Sequence, residues 1–360
     1  HRGSPTGSPS PSNEVLAEAL SGRLRPEVER HANRRQALAL IAASPARCGA
    51  SLGQTMLRLF LLVVLFTLSA AAAAWEASAP HPAYTDREAA GLQGPGDAAR
   101  GRIVFVAADC ASCHASPGQS DRLYLGGGLA LGSPMGIFRV PNISPDPVDG
   151  IGAWSTVDLA NAIMSGVSPD GRHYYPALPY TSYARMRPQD VRDLMAYLRA
   201  LPPVHGKAPP HELPFPFNIR RSVGLWKLLF FHPGPVSSDV PLDDPWSRGR
   251  YLVETVGHCA ECHSIHNMLG AVEPSSRLAG GPDVGGVGFV PDITPAHLAR
   301  WSVQDIEKFL HSGRTPDLRS VGSTMADVIV NTAALPAEDR HAIAVYLKSL
   351  PPKDSRNRSS

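Results

Sequence analysis

Two stretches, Cys110-Ala111-Ser112-Cys113-His114 and Cys259-Ala260-Glu261-Cys262-His263, decide how this chain folds. Both read C-x-x-C-H, the attachment pattern of c-type haem. The spacing has a chemical reason. Each thiol adds to one vinyl group of the porphyrin, so the two sulfurs must lie along one ring edge. Residues three and four apart share one face of a helical turn. Both cysteines and the histidine therefore face one porphyrin, with the imidazole set to bind iron from its proximal side. Cys110, Cys113, Cys259 and Cys262 are the expected thioether residues, and His114 and His263 the expected proximal ligands. A thioredoxin-like redox pair needs a βαβ context, and neither motif has one. A four-cysteine zinc site would have to join motifs about 150 residues apart, far wider than the spacings of structural zinc sites.

Working outward, the chain repeats itself around these motifs. Gly101-Arg102 precedes the first and Gly249-Arg250 the second. Downstream come Pro141-Asn142-Ile143-Ser144-Pro145 and Pro291-Asp292-Ile293-Thr294-Pro295, then Trp154-Ser155 and Trp301-Ser302, each opening a helix. Ser155 with Asp158, and Ser302 with Asp305, are expected N-cap pairs, and Gly166 and Gly313 fall where those helices end. Both units close with an amphipathic helix. The first carries Val191, Leu194, Tyr197 and Leu198 before Pro202-Pro203, the second Ile343, Tyr346 and Leu347 before Pro351-Pro352. Each closing helix is expected to cross the short helix that bears the motif, with Tyr197 and Tyr346 near the contact.

The expected fold is mainly α, with two tandem cytochrome c-like domains of short helices and long loops wrapped around covalently bound haem. They span residues 90–203 and 248–352, and residues 353–360 form a tail. Composition agrees: of 360 residues 43% are hydrophobic and 18% charged, as in globular domains. The abundance of 35 prolines and 32 glycines calls for an organiser other than regular secondary structure. A formal net charge of +2 gives no reason to expect a nucleic-acid partner.

Ahead of the first unit, residues 56–74 read as a secretory signal peptide. A basic residue, Arg58, precedes the apolar run Leu59–Ala74, whose alanines offer cleavage sites before Trp75. That run is shorter than the roughly 20 residues that span a bilayer. An uncleaved anchor is the rival reading. Residues 1–55 form an extension in front of the signal, and translation is expected to start at Met56. Residues 204–247 make a Pro-rich linker with one apolar insert, Leu225-Trp226-Lys227-Leu228-Leu229-Phe230-Phe231. It reads as a strap packed across both domains, or as a docking surface for a partner subunit or the membrane.

An electron-transferring haem usually has both axial positions filled, and Met opposite His raises the potential. Met325 stands at the same offset from Trp301 as Leu178 does from Trp154, in what reads as a loop before the last helix. Met325 is the expected distal ligand of the second haem. Leu178 cannot bind iron, so Met186 is the expected substitute in the first unit, with His173 or an open position as alternatives.

Beyond the C-x-x-C-H pairs, the chain carries PNISPD at 141–146, DGRHYYPALPY at 170–180, LPFPFNIR at 213–220, GLWKLLFFHPG at 224–234 and GHCAECHSIHNMLGA at 257–271. From about Gly101 to Pro352 it resembles the cytochrome c subunits of bacterial membrane-associated alcohol, gluconate and aldehyde dehydrogenases. Many of those subunits hold three haems, and this chain is similar to the shorter two-haem members. Where they have Met in an Ala-Met-Pro-Tyr run, this chain has Leu178. The resemblance implies two haem c groups with iron, a separate dehydrogenase catalytic subunit as electron donor, and a quinone, downstream cytochrome or terminal oxidase as acceptor. A periplasmic location is implied too, with a peripheral contact on the outer face of the inner membrane. The competing class is a di-haem redox enzyme of peroxidase or thiosulfate dehydrogenase type, which would use an open first haem. A gas sensor would need an output domain.

Overall fold

The computed structural model describes residues 46–85, 89–233, 241–283, 285 and 288–353. Most of the extension expected over residues 1–55, and all but the first residue of the tail, lie outside the described residues. The chain divides into two compact units, ending at Ala73 and beginning at Ala74.

Helix α1 (Ala46–Ala77) is a single run that begins well before Met56. Its Leu59, Phe60, Leu61 and Leu62 side chains are exposed. The stretch Ser51–Ala77 is long and apolar enough to cross a membrane. The apolar run alone reads as too short to span, but the helix continues past both its ends, so length does not separate a signal from an anchor.

In the second unit, α2 (Ala98–Ala107) is started by Asp97, whose carboxylate accepts from Ala99 N and Arg100 N at 2.8 and 3.0 Å. Next come α3 (Cys110–His114) and the antiparallel hairpin of β1 (Ala130–Ser133) and β2 (Gly136–Arg139). Helix α4 (Thr156–Ser165) opens with a full capping box of Ser155 and Asp158 and closes on Gly166 at φ 61°. Short α5 (Tyr180–Tyr183) and α6 (Pro188–Arg199) come next, then α7 (Ser222–Phe230). The later half repeats the order. Helix α8 (Pro245–Tyr251) runs into a π turn, a 3₁₀ turn at Cys259–Glu261 and a small hairpin of β3 (Gly281–Pro282) and β4 (Phe289–Val290). Then come α9 (Pro295–Leu298), α10 (Val303–Ser312), α11 (Thr324–Ala333) and α12 (Ala337–Ser349). Helix α10 has the same capping box, Ser302 with Asp305, and the same left-handed glycine, Gly313 at φ 66°.

The closing helices α6 and α12 pack on α2 and α8, the helices just ahead of the motifs. This corrects the expected crossing. The first motif occupies a five-residue helix and the second only a 3₁₀ turn, too short for a long helix contact. The repeated glycines explain the geometry. A Cβ on Gly101 would sit 1.9 Å from the Asp193 carbonyl oxygen and 2.9 Å from Tyr197 Cβ. On Gly249 it would sit 1.9 Å from the Ala342 oxygen and 2.8 Å from Tyr346 Cβ. Only glycine permits that approach. One apolar core joins both halves, from Phe105, Val191 and Leu194 to Val253, Ile343 and Leu347.

Candidate functional site

Both motifs are entered through a residue with left-handed backbone: Asp109 at φ 54° and His258 at φ 39°. Neither is glycine, and the sharp turn separates the motif from the helix before it. The surroundings of the two histidines are duplicated as well. The ring nitrogen Nδ1 of His114 lies 2.9 Å from the carbonyl oxygen of Pro141, and Nδ1 of His263 lies 2.7 Å from that of Pro291. A carbonyl only accepts, so Nδ1 carries the proton and Nε2 keeps its lone pair for a metal. Gly127 N donates to His114 O and Gly280 N to His263 O, each at 2.9 Å. Ile143 N and Ile293 N likewise donate to Leu125 O and Leu278 O, each at 3.0 Å. The repeated Pro-x-Ile segments are thus the walls that orient the two imidazoles. Sequence reasoning did not single out the partner glycines Gly127 and Gly280, although Leu125-Gly126-Gly127 and Leu278-Ala279-Gly280 repeat the pattern Leu-x-Gly.

The four cysteines of the motifs are free thiols. Burial pushes Cys113 and Cys262 up to about 11 and Cys259 up to about 12, and raises Cys110 further still. Cys110 and Cys259 pack against the apolar core. Two thiols that do not pair, beside an imidazole with Nε2 free, are a donor set that fits covalent haem at each motif.

The other expected ligands are placed less directly. Met325 does not lie in a loop: it stands in the first turn of α11, half-buried. The segment before it holds left-handed Leu318 and Ser323, at φ 66° and 55°. Met186 is fully buried in the core beside the N-terminus of α6. Leu178 packs partly buried against the same core. His173 is buried, with Nε2 2.9 Å from the Ser78 carbonyl oxygen, and Arg172 forms a surface pair with Asp170 at 2.5 Å. The His173 contact ties distant parts of the chain together, whereas the Arg172 pair is local and solvent-exposed.

The segments that lead into the two motifs pack against each other. A Cβ on Gly257 would lie 3.5 Å from the Ala107 carbonyl oxygen and 3.6 Å from Cys259 Sγ. The Tyr183 hydroxyl donates to Ala108 O at 3.0 Å, and its ring meets that of His258 edge-on with centroids 5.6 Å apart. The residues just ahead of Cys110 therefore abut those that open the second motif.

Helix α7 is a strap with two faces. Lys227 Nζ donates to Ser165 O and Gly166 O at 2.6 and 2.8 Å, and Trp226 Nε1 donates to Leu269 O at 2.9 Å. Tyr180 meets Trp226 and Phe231 edge-on. On the opposite face Leu225, Leu228 and Leu229 are exposed. Trp75 and Ser78, at and just past the end of α1, meet this strap: Arg221 Nη2 donates to Trp75 O at 2.8 Å, and a Cβ on Gly224 would sit 2.0 Å from Ser78 O.

Comparison with known proteins agrees with this architecture. The sequence model of the family described as Cytochrome c matches residues 98–202. The chain is 50% identical to the "Diheme cytochrome c-type" protein of Cereibacter sphaeroides, over 80% of this chain and 96% of that one. It is 40% identical to the fructose dehydrogenase cytochrome subunit of Gluconobacter japonicus, over 71% of this chain and 52% of that one. With the alcohol dehydrogenase (quinone) cytochrome c subunit of Gluconacetobacter polyoxogenes it shares 38% identity, over 70% of this chain and 56% of that one. The chain spans about half the length of these two dehydrogenase subunits. A mainly α fold with two C-x-x-C-H motifs defines the class, proteins built around covalent haem. Within that class the chain belongs to the cytochrome c family.

Proposed function

We propose that the chain is a di-haem electron-transfer protein, the electron-accepting subunit of a dehydrogenase. Its two c-type haems are held by Cys110, Cys113 and His114, and by Cys259, Cys262 and His263. When bound, each haem iron supplies one-electron chemistry by cycling between its ferric and ferrous forms. This chain's residues do the rest. Pro141 O and Pro291 O fix the imidazoles, the apolar core excludes water, and the contact of Ala107 and Ala108 with Gly257 and His258 brings the two attachment edges together. That contact is the observation that carries the reading, since short separation is what electron exchange between two haems requires. Met325 is the proposed distal ligand of the second haem, and Met186 of the first. The proposed domains are residues 90–203 and 248–352.

Relatives named as dehydrogenase cytochrome subunits support a catalytic dehydrogenase subunit as donor. The finer reading has electrons leave toward quinone or a terminal oxidase from a periplasmic protein at the outer face of the inner membrane. The exposed apolar face of α7 supports contact with that membrane.

The test is a visible spectrum of reduced and oxidised protein, with and without carbon monoxide and peroxide, together with co-purification from the native host. Two low-spin haems that ignore both reagents, and a co-purifying dehydrogenase, are expected. A haem that turns over peroxide would reject the carrier reading.

A further inference from the structure

We infer that each attachment motif positions the distal-ligand segment of the other haem, a reciprocal latch between the two halves. The inference rests on the di-haem reading. Its basis is a pair of hydrogen-bond networks at equivalent places. The third residue of each motif, Ser112 in the first and Glu261 in the second, bonds to the opposite half.

In the second motif, Glu261 Oε1 accepts from Thr181 Oγ1 at 2.7 Å and from Ser182 Oγ at 3.1 Å. Those hydroxyls belong to α5, between Leu178 and Met186, the segment that must serve or leave open the first haem's distal side. The same segment is tied down along its length. Arg185 Nη2 donates to Glu254 O at 3.0 Å, and Arg187 N donates to Tyr251 Oη at 3.0 Å. Tyr183 touches the lead-in to both motifs at once, through Ala108 O and the His258 ring.

In the first motif the relation is reversed. Ser112 Oγ accepts from Asn331 Nδ2 at 3.1 Å and from Arg122 Nη2 at 2.9 Å, and Asn331 Nδ2 also donates to Asp109 Oδ1. Arg122 pairs with Asp327 at 3.6 Å. Asn331 and Asp327 lie on α11, the helix whose first turn carries Met325. Asn331 is buried, so its amide has no water to turn to if Ser112 and Asp109 are lost.

A residue bonded only within its own half would shape its own haem. Here the effect is crossed. Glu261 holds the segment beside Met186, and Ser112 with Asp109 holds the helix of Met325. A change at one motif therefore reaches the distal side of the other haem, without passing through its proximal histidine. These are positioning residues, acting through the loops and not on iron.

The experiment uses the full haem-loaded chain and reads each haem separately by paramagnetic NMR. Its resonances are assigned through their contacts with Cys113 or Cys262 protons. Glu261→Ala is expected to shift the axial-ligand signals of the first haem and open it to carbon monoxide. Thr181→Val with Ser182→Ala, made in the other half, should give the same result should Glu261→Ala fold poorly. Both should speed amide exchange across residues 181–187 about tenfold, the scale expected for losing hydrogen bonds to a charged group. Glu261→Gln, which keeps the accepting oxygen, should restore the wild-type signals. Asn331→Leu should move the second haem alone. Shifts confined to the haem of the mutated motif, or no shift at either haem, would overturn the latch. Fewer than two porphyrins in the wild-type chain would overturn the di-haem reading and the latch together.

Discussion

The Nδ1 atom of His263 lies 2.7 Å from the carbonyl oxygen of Pro291, and His114 repeats the arrangement with Pro141 at 2.9 Å. A backbone carbonyl cannot donate, so each contact fixes both the tautomer and the angle of its imidazole. A glycine amide, Gly280 or Gly127, in turn holds the histidine's own carbonyl oxygen.

Gly280→Ala is expected to weaken the fold by about 2–4 kcal/mol, the range for a new Cβ at a left-handed, closely packed position. Gly280 has φ 74°, and a Cβ there would lie 2.6 Å from the Val290 carbonyl oxygen. Guanidinium unfolding checks the stability. Haem content should fall at the second motif and stay at the first.

Gly101→Ala and Gly249→Ala should each destabilise by at least about 3 kcal/mol, because a Cβ would meet a helix carbonyl that cannot rotate away. The overlap is the same at both crossings, 1.9 Å from the Asp193 and Ala342 oxygens. Thermal melts of the two variants should therefore agree. A mild effect at either site would argue against the close crossing of these helices.

Asp193 gives a pH dependence with a definite sign. Its side chain is buried, and accepts from Arg100 Nε at 2.7 Å, Asp97 N at 2.7 Å and Gln189 Nε2 at 2.7 Å. Burial alone would raise its carboxyl, but these donors, Arg100 foremost, hold it below the ordinary 3.8. The folded value is thus depressed relative to the unfolded one. Its stabilisation is complete above about pH 3.8 and lost as pH falls through the lower folded value. Asp193→Asn should cost about 1–2 kcal/mol at pH 7, with Arg100's exposure limiting the figure. Urea unfolding at falling pH should show the two curves converging in the acid range. A gap that stays constant to strongly acid pH would contradict this.

Replacing Leu225, Leu228 and Leu229 together by Ser should move the protein from the membrane pellet of the host to the soluble fraction by at least about tenfold. Each leucine buried in an apolar phase is worth roughly 1.5–3 kcal/mol. These side chains point away from the core, so the melting temperature should hardly change. A variant that stays in the pellet even after alkaline carbonate would mean that α1 alone, retained as an anchor, sets the location.

Much of the site is legible in local patterns. The capping boxes of Ser155 and Ser302, the terminating Gly166 and Gly313, and the glycines at Gly101 and Gly249 each depend on a few neighbouring residues, and all recur in both halves. The hidden part is made by distant stretches of the chain. The partners of Glu261 lie some 80 residues away in Thr181 and Ser182, and no period in the sequence records that pairing. The left-handed turns at Asp109 and His258 carry no glycine to announce them. Met325, placed by its offset from Trp301, reads as loop, yet the residues after it pack as a helix through Ile329 and Asn331. The true neighbour of each closing helix is marked only by a single glycine, Gly101 or Gly249, whose meaning depends on a carbonyl some 90 residues away.

The central claim is that porphyrin is fixed by thioether bonds at both motifs. A pyridine haemochrome assay combined with intact mass measures it most directly, on wild type and on Cys110→Ala with Cys113→Ala. The expected result is two covalent haems in the first and one in the second. A wild-type mass without porphyrin, or a double variant that still holds two, would contradict it.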